Sequence, residues 1–313
     1  MKHLDFTPTP VTSLPYYSEK FGCQLLCKRD DLFAEAGGGS KARMLQYILA
    51  DVNRQNCDVL VTAGGPCSNF NRACALMCAK IGVSMHLVEY TDNPDEFESS
   101  LNYFLCKLAG ITRTRCKKDN VPDTIKRVLD SYFGKKVKFV YGGGKSIEGI
   151  FAYFDAIAEL KKQVEVVDHL FVSCGTGTTL TGICAGMQKF FPNAHVHAIS
   201  VSRSFQVEKQ TLDEDMVMLN NYLGSDYGFD NMTFYEDYLC GGYDCTTPEL
   251  LNQIQECISK EGMIIDPCYS GKSFFGMIDI LKKCCDMVRG KTIVYWNTGG
   301  LMNLLSMKSS YEI

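Results

Sequence analysis

The chain has 313 residues, 46% of them hydrophobic and 22% charged, with a formal net charge of −4 and a pI near 5.8. This is the make-up of a soluble globular protein with room for two lobes or one large α/β domain. It excludes the basic footprint of a nucleic-acid or anionic-membrane binder, and no run of about 18 apolar residues or leader-like start predicts membrane insertion or export. The expected setting is cytoplasmic and the expected partner a small molecule. The sixteen cysteines are scattered without zinc-type spacing, so they are expected as reduced thiols with no metal site.

Along the chain, the first informative stretch is KRDDL (28–32) followed by AEAGGGSKARMLQYIL (34–49). Three glycines and Ser40 lead into an apolar pattern, Met44, Leu45, Tyr47 and Ile48, that predicts the buried side of a helix. Lys41 stands at its start, where the partial positive charge of the helix disfavours an ammonium. It is therefore either an exposed accident or an amine with an unusual task.

Short β-rich runs then alternate with helical patterns: DVLVT (58–62), VSMHLVEY (83–90), ITRTRC (111–116), VKFVY (137–141), DHLFVSC (168–174), HVHAISV (195–201) and TIVYW (292–296). The alternation predicts parallel sheets covered by helices on both faces. Within it, VTAGGPCSNFNRACAL (61–76) runs a strand into Ser68-Asn69, which read as helix caps or as ligand contacts. YGGGKS (141–146) supplies flexible backbone, and crossings between lobes are expected near residue 45 and at 142–146. Ile147, Ile150, Phe151, Phe154 and Ile157 mark the buried stripe of a helix over 147–160. The pair Cys284 and Cys285 is read as packing within a helix.

The segment DHLFVSCGTGTTLTGICAGM (168–187) is a strand, a turn and a helix, an anion cup suited to a phosphate. A dinucleotide fingerprint fails because Leu180 stands at its third glycine and HVHAISV ends without an acid. A Walker motif fails too, since Phe139 stands where the GKS at 144–146 needs its first glycine. IIDPCYSGKSFFGM (264–277) and IVYWNTGGLMNLL (293–305) again place hydroxyls and amides just beyond a strand. Five such termini point to one shared crevice at the carboxyl ends of strands.

In this order the segments resemble the fold type II pyridoxal-phosphate enzymes, specifically the 1-aminocyclopropane-1-carboxylate deaminase and D-cysteine desulfhydrase family, over residues 7 to 305. The resemblance implies a tryptophan synthase β-like α/β fold of two open, mostly parallel twisted sheets with helices on both faces. A large domain would comprise 1–45 plus 145–313 and a small one 46–144, with the active site in the cleft between them. It implies pyridoxal 5'-phosphate as cofactor, a small amino-acid substrate and a homodimer.

Carried over residue by residue, Lys41 falls at the Schiff-base lysine, and Lys145 and Lys272 are read as structural. Asn69 would face the cofactor's ring hydroxyl, and Ser68 with the following N–H groups the substrate carboxylate. The turn Gly175, Thr176, Gly177, Thr178 and Thr179, entered from Cys174, would hold the phosphate, with Gly177 letting the backbone approach the anion. Tyr243 and Tyr269 would flank the substrate, and Ser270 or Thr298 would stand at the pyridine nitrogen. Ser40, Cys67 and Phe70 depart from the family pattern and are expected to line the substrate side. Deaminases of the family carry glutamate where this chain has Ser270. A neutral hydroxyl leaves the ring a weaker electron sink and favours expulsion of a good leaving group. The expected activity is β-elimination from a small amino acid such as D-cysteine. Cyclopropane deamination is the runner-up, and cysteine synthase-like β-replacement or a non-catalytic binding role stands behind it.

Overall fold

The computed structural model describes residues 1–93, 95–284 and 288–306. Its strands are β1 (Val11–Ser13), β2 (Gln24–Arg29), β3 (Val59–Gly64), β4 (Ser84–Tyr90), β5 (Thr112–Cys116), β6 (Val137–Val140), β7 (His169–Cys174), β8 (His195–Ser200), β9 (Met232–Tyr235) and β10 (Thr292–Asn297). They form a six-stranded sheet, β1-β2-β10-β7-β8-β9, and a four-stranded sheet, β5-β4-β3-β6. All pairings are parallel except β1 with β2. Central strands such as β3 and β10 are buried almost throughout, as parallel strands covered on both faces must be. The expected α/β architecture of two mostly parallel sheets is therefore what the chain adopts.

All four strands of the smaller sheet lie between Val59 and Val140, while the larger sheet pairs Gln24–Arg29 with Thr292–Asn297. The first passage between sheets is the single helix Ser40–Gln55, so residue 45 lies inside a helix rather than at a linker. The return passes through Gly142–Gly144 and enters the helix Ile147–Lys161, capped by the Ser146 hydroxyl accepting from the Gly149 N–H. Ile150, Phe154 and Ile157 of the expected stripe are buried. That helix lies close against Thr178–Phe190 because Gly182 and Gly186 present no side chain. A Cβ on Gly182 would meet the Ile150 carbonyl at 2.3 Å, and one on Gly186 the Ile157 Cβ at 2.8 Å.

Under the Lys41 helix lies a buried ionic cluster. Arg43 donates to both Asp30 oxygens and to Glu159, and Lys28 pairs with Glu159. Asp30 also accepts from Tyr153 Oη at 2.8 Å, Trp296 Nε1 at 2.9 Å and Thr9 Oγ1 at 2.9 Å. Burial alone would raise the Asp30 carboxyl, but Arg43 and Lys28 hold it below its ordinary value. Such a cluster is stable only when every charge is answered, and removal of one member strands the rest.

Cys284 stands at the cap that ends the helix Ser270–Lys283, so it is not within a helix as expected. Cys285 lies outside the described residues. All described cysteines are free thiols, and no group of three or more potential ligands there could hold a metal. No helix among the described residues is long and apolar enough to cross a membrane.

Candidate active site

The carboxyl ends of β2, β3, β6, β7 and β10 feed the loops that carry the candidate residues. Beyond β2, the turn Gly37–Gly39 runs at φ of 74°, 79° and 98°. A Cβ on Gly38 would strike the Asp31 carbonyl at 2.1 Å, so the turn needs glycine there on steric grounds as well. The Gly39 N–H donates to the Asp30 carbonyl at 2.7 Å and the Ser40 N–H to the Thr298 carbonyl at 2.9 Å. The helix start, and with it Lys41, is thus pinned between β2 and β10.

Lys41 Nζ donates to the Gly143 carbonyl at 2.9 Å, with Met44 Sδ at 3.9 Å. No carboxylate bonds to it. Desolvation lowers its pKa to about 8, only weakly opposed by the Cys174 thiol. An amine in this state is deprotonated in substantial fraction near neutrality, as a nucleophile or base requires.

The turn after β7 lies close by. Gly177, at φ 78°, is the cap of the helix Thr178–Phe190 and supplies no side-chain acceptor, leaving that helix start to an external anion. Thr178 Oγ1 is buried without a hydrogen-bond partner. An orphaned hydroxyl beside an uncapped helix start fits a phosphate. The Gly143 loop closes over the same turn, since a Cβ on Gly143 would meet Thr176 Oγ1 at 2.7 Å. One expectation needs correction. The space a Gly177 Cβ would fill belongs to Leu212 and Glu208, at 2.9 and 3.1 Å, so that glycine serves positive φ and helix packing. Cys174 itself is buried, and burial pushes its thiol up.

Tyr243 and Tyr269 come together, their hydroxyl oxygens 2.6 Å apart and their rings edge to face. Tyr269 also lies over the phosphate turn, 3.4 Å from where a Gly175 Cβ would be. Burial raises both phenols well above the ordinary value, so both are protonated donors.

Ser68 caps the helix Asn69–Ile81 by accepting from the Asn71 N–H, and keeps its own proton to donate. Asn69 accepts from Arg72 Nη1 at 2.9 Å. Arg72 was not singled out from the sequence, yet it is buried and also reaches the Gly38 carbonyl and Asn102 at 3.0 Å each. Desolvation without a carboxylate lowers it to about 10. Asn102 continues to Asn303 at 2.7 Å, and Asn303 to Asp266 at 3.5 Å, joining the Ser68 loop to the Tyr269 loop.

Asp266 accepts from Ser270 Oγ and the Ser270 N–H, each at 2.7 Å, and burial raises its carboxyl to about 6. Ser270 is fully buried. Its single proton faces Asp266 and the Gly299 carbonyl, and its oxygen accepts from the Asp266 N–H. It has no proton left for a ligand. Thr298 Oγ1 lies 3.2 Å from Ser173 Oγ, and one hydroxyl of that pair keeps its proton to donate. Two of the departures are buried: Phe70 packs beneath Gly144 together with Met44, and Ser40 lies at the start of the Lys41 helix. Cys67 remains half-buried in the Ser68 loop, its carbonyl accepting from Asn102.

A desolvated amine facing an uncapped helix start, at the strand ends of two parallel sheets, defines an enzyme that binds a phosphorylated carbonyl cofactor. The chain belongs to the pyridoxal-phosphate dependent enzymes, whose family model matches residues 3–299, and pyridoxal phosphate is its cofactor. It is 31% identical over 304 residues to the Pyrococcus horikoshii protein named "Putative 1-aminocyclopropane-1-carboxylate deaminase", covering 94% of this chain and 89% of that one. It is 29% identical to D-cysteine desulfhydrase of Salmonella paratyphi B, covering 87% and 85%. A crystal structure of an ACC deaminase homologue superposes with a TM-score of 0.88 at 28% identity, covering 98% of this chain and 94% of that one.

Proposed function

We propose that the protein catalyses β-elimination from a small amino acid such as D-cysteine, consuming water and giving pyruvate, ammonia and sulfide. The observation that carries this reading is the hydroxyl pair Tyr243–Tyr269, together with the neutral hydroxyl pair of Thr298 and Ser173 at the strand ends. One phenol donates to the other, and the acceptor keeps its own proton for a departing sulfur. Pyridoxal phosphate supplies the electron sink that makes the Cα proton acidic.

In this reading Lys41 would hold the cofactor through its amine and serve as the base for the substrate's Cα proton. The turn Cys174–Thr179 would hold the phosphate and Asn69 the ring hydroxyl, with Thr298, rather than Ser270, as the neutral partner for the pyridine nitrogen. Ser68 and the N–H groups after it receive the substrate carboxylate. Residues 1–45 plus 145–313 form the large domain and 46–144 the small one, with the substrate between them. A cytoplasmic homodimer completes the proposal, supported by the reduced cysteines and the family resemblance. Ring opening of 1-aminocyclopropane-1-carboxylate is the second reading, favoured by the relative at 31% identity. Incubating the holoenzyme with both cysteine enantiomers, β-chloroalanine and the cyclopropane amino acid, while assaying pyruvate, 2-oxobutanoate and sulfide, decides between them. 2-Oxobutanoate from the cyclopropane substrate, with no product from the others, would replace the first reading with the second.

A further inference from the structure

Lys272 is fully buried in the first turn of the helix Ser270–Lys283, where the helix dipole opposes an ammonium. Its three donors go to main-chain oxygens: Val201 at 3.3 Å, Leu239 at 2.8 Å and Gly242 at 2.5 Å. Two of these belong to the segment between β9 and the helix Pro248–Glu261, which carries Tyr243. At its start the segment is anchored by buried Tyr238, whose hydroxyl donates to Asp279 at 2.8 Å, and further on it is braced by its own turn bonds, Gly242 N–H to the Leu239 carbonyl and Cys245 N–H to the Gly242 carbonyl. Cys240, Gly241, Gly242 and Asp244 stand at φ of 55°, 94°, 130° and 61°, conformations that two non-glycine residues adopt only under constraint. The third oxygen, at Val201, lies just past β8, and that residue is tied to the phosphate turn by its N–H donating to the Cys174 carbonyl. The helix that bears Lys272 also has Tyr269 as its N-terminal cap. One helix start therefore holds both phenols, Tyr269 through the chain itself and Tyr243 through the ammonium.

We propose that Lys272 is a positioning residue whose ammonium clamps the 236–247 loop and sets the Tyr243 hydroxyl against Tyr269. The inference rests on the reading of the tyrosine pair given above. Lys272 touches neither reacting atom in this arrangement. Its task is to hold carbonyl groups that no strand or helix partner satisfies, and thereby to fix where the acidic proton of the pair points. A methionine of similar length would fill the volume and leave the Leu239 and Gly242 oxygens with only their turn N–H partners, from Gly242 and Cys245.

The test uses holoenzyme variants, read by hydrogen exchange and by kinetics. In Lys272→Met, amides of 236–247 should exchange about tenfold faster or more while those of Thr178–Phe190 stay as they are. Turnover should fall by about 10² with KM changed by less than about threefold, because the loss is general-acid help. Adding Tyr243→Phe to this background should cost less than about twofold more, since residues acting as a unit are not additive. Should Lys272→Met fail to fold, Gly242→Ala disturbs the loop from its other side. It strains a φ of 130° with no atom within 4 Å of the new Cβ, and should give the same faster exchange and the same loss of the Tyr243 effect. Unchanged loop exchange in the folded variant, or a Tyr243→Phe effect that multiplies in full, overturns the proposal. Exchange reads the clamp even if none of the named amino acids is turned over, and in that case it is the elimination reading that fails.

Discussion

Arg43 and Lys41 stand two residues apart at the start of one helix, and they meet opposite surroundings. Arg43 is answered by Asp30 and Glu159 and its guanidinium is held far above its ordinary value. Lys41 is answered by a carbonyl alone and falls to about 8. Both are desolvated, so burial does not distinguish them. Pairing does: a carboxylate fixes the proton on the cation, whereas burial without one loosens it. The difference separates a cation that braces the fold from an amine available for chemistry, within half a turn of helix.

The strongest way to break this contrast is Lys41→Met. Turnover should fall by about 10³-fold or more, while the thermal midpoint stays level or rises because an unpaired buried ammonium is gone. In the unaltered protein, borohydride reduction should fix the pyridoxyl group to Lys41, and its recovery on another lysine would move the assignment. Next comes Asp30→Ala, which leaves Arg43 and Lys28 to share Glu159 alone and should cost about 3–5 kcal/mol in urea unfolding, with turnover per folded molecule nearly kept. Equal destabilisation by the two substitutions would erase the comparison. Gly177→Val should cost about 1–3 kcal/mol through its positive φ and its collision with Leu212, and should weaken cofactor retention on dialysis.

The smallest effect is a pH profile. Lys41 must lose its proton before it can bond the cofactor, so capture of pyridoxal phosphate by the apoprotein should quicken as pH rises and level off above about 8. A midpoint near the ordinary 10.5 would make Lys41 an unexceptional lysine. On the other side, Asp30 and Glu159 are both held below their ordinary values. Their stabilisation is present above the unfolded carboxylate range of about 4 and is lost as pH falls through their lower folded values.

Much of this was legible in the sequence because it rests on local patterns. Glycine turns after apolar runs singled out Lys41, Gly175–Thr179 and Ser68, the family resemblance supplied the two tyrosines, and the helical stripe around Ile150 came from spacing alone. The short edge strands β1 and β9 were not, since three or four residues show no periodicity. Arg72, Asn102, Asn303 and Asp266 form a network only in three dimensions, and no spacing announces that an asparagine at 102 will meet one at 303. Ser270 carried a misleading signal. Its position after Tyr269 suggested a ligand contact, whereas the fold turns its proton toward Asp266.

The pairing of β2 with β10 matters for how the molecule is made as well as for how it works. Gln24 lies beside Thr292, so the larger sheet has its seam between opposite ends of the chain, and contacts so distant in sequence form slowly. The four strands of the smaller sheet are contiguous and available early in synthesis. We expect pulsed hydrogen exchange during refolding to protect Val59–Gly64 before Thr292–Asn297. The reverse order would refute that expectation. Since the Ser40 amide is tied to the Thr298 carbonyl just past that seam, Lys41 takes its working position only when the last strand has docked. An incomplete chain carries the lysine and the glycine turns without yet presenting a reactive amine to the cell's free aldehydes.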